Sequence, residues 1–328
     1  MSVEESPAMI RFDSVGRTYD DGTVAVHDLS LEVQPGEICA VVGPSGCGKT
    51  TAMRMANRLG SPTTGRIFID GRDIATEDPV ALRRGIGYVI QQVGLFPHQS
   101  VRTNVGTVCR LLNWDASRIA TRVDEMVQMV GLDPDQFGDR YPSQLSGGQR
   151  QRVGVARALA TDPPVLLMDE PFGAVDPVAR GLLQEHFHTL VKSLGTTVMM
   201  VTHDIDEAVR LADRIAVMRV GGVLEQYAAP AEILARPSSD FVADFVGSDR
   251  VLKGLVRTPI VGSLLDAAGS QTVSASPQLH VGDSLRLGLS CVLGEPSGSV
   301  SVYDDGQLVG ALTMDAVHRH LRRPTEVA

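Results

Sequence analysis

Residues 43–50 read Gly-Pro-Ser-Gly-Cys-Gly-Lys-Thr, directly after the apolar stretch 38–42 and directly before a helical pattern over 49–59. This is the GxxxxGK[ST] pattern of a phosphate-binding loop. It constrains the fold more than any other feature of the chain. Glycines let successive backbone N–H groups curl around an anion, and the following helix aims its partial positive end at the same place. The candidate phosphate contacts are Gly43, Pro44, Ser45, Gly46, Cys47 and Gly48, followed by Lys49, Thr50 and Thr51. Lys49 is expected to bridge the terminal phosphates and Thr50 to offer its hydroxyl to Mg²⁺.

The second half of such a site is a buried strand ending in carboxylates, and Val-Leu-Leu-Met before Asp169-Glu170 supplies it. Asp169 is expected to hold Mg²⁺ through water, and Glu170 to polarise the attacking water as general base. Together with the loop, this pair implies nucleotide hydrolysis rather than binding alone. Further strands are expected at 9–12, 24–33, 37–42, 64–69, 86–90, 197–201 and 215–220, with helices at 178–194 and 206–211. Between 92 and about 160 the pattern is helical, with Ile119, Val123, Met126, Val127 and Val130 at near-helical spacing. Strand–helix alternation around such a block implies a parallel α/β sheet carrying an inserted helical subdomain.

A third motif, Ser146-Gly147-Gly148-Gln149, opens a helical stretch that runs to about 160. A Ser-Gly-Gly at a helix start is a second anion-binding end. If this helix runs antiparallel to the sheet into the Asp169 strand, its N-terminus lies at the nucleotide edge but displaced sideways. Such a helix is only about 20 Å long. It does not easily reach its own chain's phosphates, and a second copy of the chain, turned head to tail, could bring that end onto the γ-phosphate.

Composition narrows the partners. The 328 residues carry a formal net charge of −9, which leaves no basic footprint for nucleic acid. The four cysteines form no CxxC pair for zinc or redox work, so reduced thiols are expected. The N-terminus lacks the basic start and apolar stretch of a signal peptide, and no apolar run approaches the roughly 20 residues that cross a bilayer. Any membrane role is expected to come from a partner.

With these motifs in place, residues 8–236 resemble the nucleotide-binding subunit of an ATP-binding cassette (ABC) transporter. The resemblance implies a P-loop NTPase core with a RecA-like parallel sheet, an N-terminal antiparallel β part and the helical subdomain, within a cassette over 8–240. It implies ATP and Mg²⁺ as ligands and a homodimer that encloses two ATP molecules. It also implies roles for four more residues. Tyr19 falls where the family stacks an aromatic ring on adenine. Gln91 falls at the glutamine that touches Mg²⁺ and senses the membrane partner, with Gln92 as the fallback. Asp176 corresponds to the loop that couples the two sites, and His203 to the histidine that contacts the γ-phosphate. Cys47, at a helix N-terminus, is expected to carry thiolate character, to react faster than Cys39 and to be protected by MgATP.

Lys49 and Asp169 are 120 residues apart without sustained heptads, unlike chromosome-maintenance relatives, and the chain holds one cassette, unlike translation-associated ones. The absence of fused membrane spans favours an importer. That implies separate permease subunits, an extracytoplasmic binding protein and a peripheral position on the cytoplasmic face of the inner membrane. Residues 86–98 and 169–177 resemble the cassettes that serve glycine betaine, proline betaine, carnitine or choline. Cassettes for taurine, nitrate or sulfonate are the nearest alternative, and a soluble ATP-dependent regulatory switch is the alternative of another class. A composition shift after Asp249 sets off a C-terminal regulatory region at 251–328. There, strands at 299–303 and 308–312, a helix capped near Thr313, and Thr272-Val-Ser with a helical 281–293 before them resemble one small α/β CBS-like module over about 270–323. The osmoprotectant family usually carries two.

Overall fold

Every position of β3 (Ile38–Val42), β7 (Val165–Asp169) and β8 (Thr197–Val201) is buried, the mark of strands covered on both faces. The computed structural model describes residues 8–91, 94–266 and 278–322. Its strands are, in chain order, β1 (Ile10–Thr18), β2 (Val24–Val33), β3, β4 (Thr64–Ile69), β5 (Arg72–Asp73), β6 (Ile86–Val89), β7, β8, β9 (Arg214–Arg219) and β10 (Val223–Ala228), then β11 (Leu279–His280), β12 (Ser299–Asp304) and β13 (Gln307–Thr313). A six-stranded sheet has the order β10-β9-β3-β8-β7-β6. Within it, β9-β3, β3-β8, β8-β7 and β7-β6 all pair in parallel, with Cys39 opposite Met199 and Leu167 also opposite Met199 from the other side. The C-terminal ends of β3, β7 and β8 therefore lie along one edge, where loops in parallel sheets hold ligands.

A second sheet, β2-β1-β4-β5, is antiparallel in its β1-β2, β1-β4 and β4-β5 pairs. Helix Lys49–Ala56 shares one core with both sheets: Ala52, Met53, Met55 and Ala56 pack with Cys39, Val41, Leu167 and Val201 and with Ile10, Phe12, Val15 and Leu29. The expected strand at 9–12 continues to Thr18. Ser14, at φ 48°, forms a bulge there, so Phe12 and Val15 both turn inward although they are three apart. Between β6 and β7 lies the helical insert, from Val101–Val105 through Ala116–Met129 to Gly147–Leu159. Val123, Met126, Val127 and Val130 are buried, as their spacing requires.

The chain divides into two compact units at Tyr227/Ala228. The cassette was expected to run to 240 and the tail to start at 251. The division falls earlier because the short helices Pro230–Ala235, Asp240–Val246 and Arg250–Gly254 belong to the second unit. That unit has a three-stranded sheet, β11-β12-β13, whose β12-β13 hairpin turns at Asp305 and Gly306, both at positive φ. Helices Leu285–Gly294 and Met314–Arg322 pack on it through Leu285, Val292, Ala316 and Val317. The first starts later than expected because Ser284 caps it, its hydroxyl accepting from the Leu287 N–H. Thr313 does the same for Ala316. Thr272-Val-Ser lies outside the described residues.

Candidate active site

The loop leaving β3 takes positive φ at Gly43, Gly46 and Gly48, and Gly48 caps helix Lys49–Ala56 in the left-handed region. Two of these glycines also meet their neighbours. A Cβ at Gly43 would stand 2.1 Å from the Met218 carbonyl oxygen, and one at Gly48 would stand 2.0 Å from that of Ala25. The loop is therefore packed into the sheet as well as shaped for an anion. Gly48→Ala is expected to lower the melting temperature without nucleotide, the left-handed backbone alone costing about 1–3 kcal/mol. Thermal unfolding in nucleotide-free buffer checks this; an unchanged transition would assign Gly48 to ligand contact only.

Lys49 is 8% exposed, and its Nζ donates to the carbonyls of Gly43 at 2.7 Å and Pro44 at 3.0 Å. Ser45 and Gly46 form the exposed rim of the loop. Cys47 has no exposed surface and lies 3.7 Å from the Lys49 Nζ. The rapid, ATP-protected labelling expected of an accessible thiolate thus has no structural basis: the side chain points under Gly43, into the core. Cys39 is equally enclosed, and burial pushes its thiol up to about 12.

Thr50 Oγ1 donates to Asp169 Oδ1 at 3.2 Å, across 119 residues of chain. Burial pushes the Asp169 carboxyl up, with the Thr50 hydrogen bond opposing it. Next along, Glu170 sits at φ 48° and its N–H donates to the Val201 carbonyl. Two side chains converge on its carboxylate. Gln91 Nε2, after the end of β6, donates to Oε2 at 2.8 Å, and His203 Nδ1, after the end of β8, lies 3.1 Å from Oε1. Gln92 lies outside the described residues. The Thr50 hydroxyl and the Asp169 carboxylate form an oxygen donor set with one carboxylate, while the Gln91 amide is turned to Glu170. That set suits Mg²⁺, which binds through few carboxylates together with substrate phosphates.

Tyr19 is 43% exposed, its hydroxyl 3.4 Å from Thr51 Oγ1 and its ring 4.9 Å from the Arg17 guanidinium carbon. Ser146 and Gln149 close a capping box at the start of helix Gly147–Leu159. The Ser146 hydroxyl accepts from the Gln149 N–H at 3.2 Å, and Gln149 Oε1 accepts from the Ser146 N–H at 2.9 Å. Gly148 packs on the loop before Asp176, where a Cβ would stand 3.2 Å from the Ala174 carbonyl oxygen. Among the described residues no hydrogen bond joins 146–149 to 43–50, and Asp176 itself is exposed.

Polar side chains that no motif announced support this edge. Gln151, 3% exposed, donates to the Glu170 carbonyl at 2.7 Å and accepts from the Ala174 N–H at 2.8 Å, strapping helix Gly147–Leu159 to the turn that carries the carboxylate. Its sequence signal is weak: a polar residue in phase with buried Val155 and Ala158. Thr202 and Glu207 are likewise buried and line a cavity with His203, and buried Gln184 bonds to Glu207.

A family profile described as "ABC transporter" matches residues 26–173. The carnitine transport ATP-binding protein OpuCA of Listeria monocytogenes is 44% identical over 320 residues, covering 97% of this chain and 78% of that protein. The osmoprotectant import ATP-binding protein OsmV of Salmonella typhimurium is 50% identical over 263 residues, covering 80% and 68%. Among solved structures, the ATP-binding cassette MJ0796, in a dimeric post-hydrolysis state bound to ADP and Pi, superposes with a TM-score of 0.63 at 33% identity, over 67% of this chain and 98% of that one.

Proposed function

Because this chain belongs to the ABC transporter family of ATP-binding subunits and hydrolyses ATP, we propose that its hydrolysis powers the import of quaternary amine osmoprotectants such as glycine betaine, carnitine or choline. One observation carries the substrate class: the resemblance to a carnitine transport subunit runs over 320 residues and so extends through the C-terminal unit. The membrane passage belongs to separate permease subunits, and recognition outside the cell to a binding protein. Among the described residues no helix is long and apolar enough to cross a membrane. The chain acts from the cytoplasmic face, as a pair of copies, with the C-terminal unit as a CBS-like control module.

In this reading adenine stacks on Tyr19, the phosphates sit in the loop 43–48, and Lys49 exchanges its two carbonyl partners for phosphate oxygens. Thr50, Asp169 and Gln91 would hold Mg²⁺, which supplies charge neutralisation on the phosphates when bound. Glu170 takes the proton of the attacking water, and His203 and Gln91 hold its carboxylate in place. Ser146, Gly147, Gly148 and Gln149 of one copy face the γ-phosphate held by the other, beside Asp176. Uptake of radiolabelled glycine betaine, carnitine and choline by cells lacking this chain tests the substrate class. Uptake is expected to return with the wild-type chain and not with Lys49→Ala. Restoration of taurine or nitrate uptake alone would overturn the assignment.

A further inference from the structure

Behind the hydrolytic groups stands a buried carboxyl to which none of these roles falls. Glu207, in helix Ile205–Leu211, is 7% exposed, yet it lines with Glu170, Arg180, Thr202 and His203 a cavity of about 60 Å³. A carboxyl there is costly unless hydrogen-bonded, so its partners show what it holds. Its Oε1 accepts from Gln184 Nε2 at 3.1 Å. Gln184 is 3% exposed and lies on helix Pro177–Leu194, which begins directly after Asp176. The Thr202 hydroxyl lines the same cavity and favours the ionised carboxylate against its burial. Thr202 Oγ1 accepts from the Asp204 N–H at 3.0 Å and Asp204 Oδ1 accepts from the Glu207 N–H at 3.2 Å, so the turn carrying His203 is tied to Glu207 from inside. One helical turn before Gln184, Arg180 repeats the link nearer the surface. Its guanidinium lies 3.8 Å from Asp204 Oδ2 and donates to the Val175 carbonyl, while its N–H donates to that of Asp176.

We propose that Glu207 is a positioning residue: it bridges the helix that follows Asp176 to the turn that carries His203, so that His203 meets the Glu170 carboxylate only while both ends of the bridge are made. The inference rests on the roles given above to Glu170 and His203. It explains why a carboxyl is kept in a site where an apolar side chain would cost less. Whatever moves the Asp176 segment then moves His203, and the bridge carries that movement to the hydrolytic end of the site.

Steady-state ATP hydrolysis by Glu207→Ala, Glu207→Gln and Gln184→Leu, alone and combined, tests this. Glu207→Ala is expected to lower kcat about tenfold or more, since misplacement of a reacting group by about 1 Å costs up to ~100-fold, while KM for ATP stays within about twofold. Glu207→Gln, which keeps an acceptor for Gln184, is expected to retain most of the activity. Gln184→Leu is expected to match Glu207→Ala, and the double variant to be no worse than either, because both remove one bridge. Should Glu207→Ala fail to fold in a thermal melt, Gln184→Leu carries the comparison. Wild-type kcat in both truncated variants, additive losses, or Glu207→Gln as impaired as Glu207→Ala would overturn the proposal. Glu170→Gln and His203→Ala are measured alongside. If these hydrolyse normally, the roles of Glu170 and His203 fail; if they are inactive while the bridge variants are not, only the bridge fails.

Discussion

Glu170→Gln is expected to bind MgATP with little change while kcat falls about 10²- to 10⁴-fold, the range a positioned general base supplies. The geometry explains why binding survives. Glu170 touches Gln91 and His203, whereas Lys49 and Thr50 make their bonds to the loop carbonyls and to Asp169. The amide of glutamine keeps one acceptor oxygen and presents an NH₂ group to the other partner. His203 Nδ1 can accept that group in its other tautomer, so the local arrangement persists without a base. With hydrolysis stopped, closed dimers are expected to accumulate, read as a doubling of mass by light scattering when MgATP is added. Normal turnover by this variant would remove Glu170 from the base role.

Lys49→Ala is expected to weaken ATP binding by about 2–5 kcal/mol, or roughly 30-fold to several thousand-fold in Kd, the usual cost of removing one member of an enclosed charge pair. A second effect follows from the nucleotide-free geometry. The Gly43 carbonyl loses its donor, while that of Pro44 keeps the Cys47 N–H, so the free protein is expected to melt earlier as well, by about 1–3 kcal/mol for one orphaned buried acceptor. Calorimetric titration with MgATP and thermal unfolding without it separate the two. An unchanged Kd would show that Lys49 serves the loop and not the phosphates.

The groups assigned here to ATP were readable because each motif is contiguous and announces its own local structure. Gly43 to Thr50 follow an apolar run, Asp169 and Glu170 end another, and Ser146 to Gln149 form a capping box. The supporting groups were not readable. Gln151 reaches Glu170 across 19 residues and Gln184 reaches Glu207 across 23, between elements whose approach no periodicity encodes. The enclosure of Cys47 was missed for a related reason. A helix N-terminus predicts an activated thiol, but only packing decides whether reagent can reach it.

The sequence alone determined that a phosphate loop joins a buried strand to a helix, that two carboxylates end another strand, and that strands and helices alternate around a helical insert. Those are consequences of residue type over a few positions: glycine freedom, apolar runs and capping. Only the tertiary structure decided that β3, β8 and β7 lie side by side and in parallel. That order sets Thr50 against Asp169 and brings Gln91 and His203 to opposite oxygens of Glu170. Strand order is fixed by how helices cover the two faces of a whole sheet, a property of all its strands at once, and no single segment contains it.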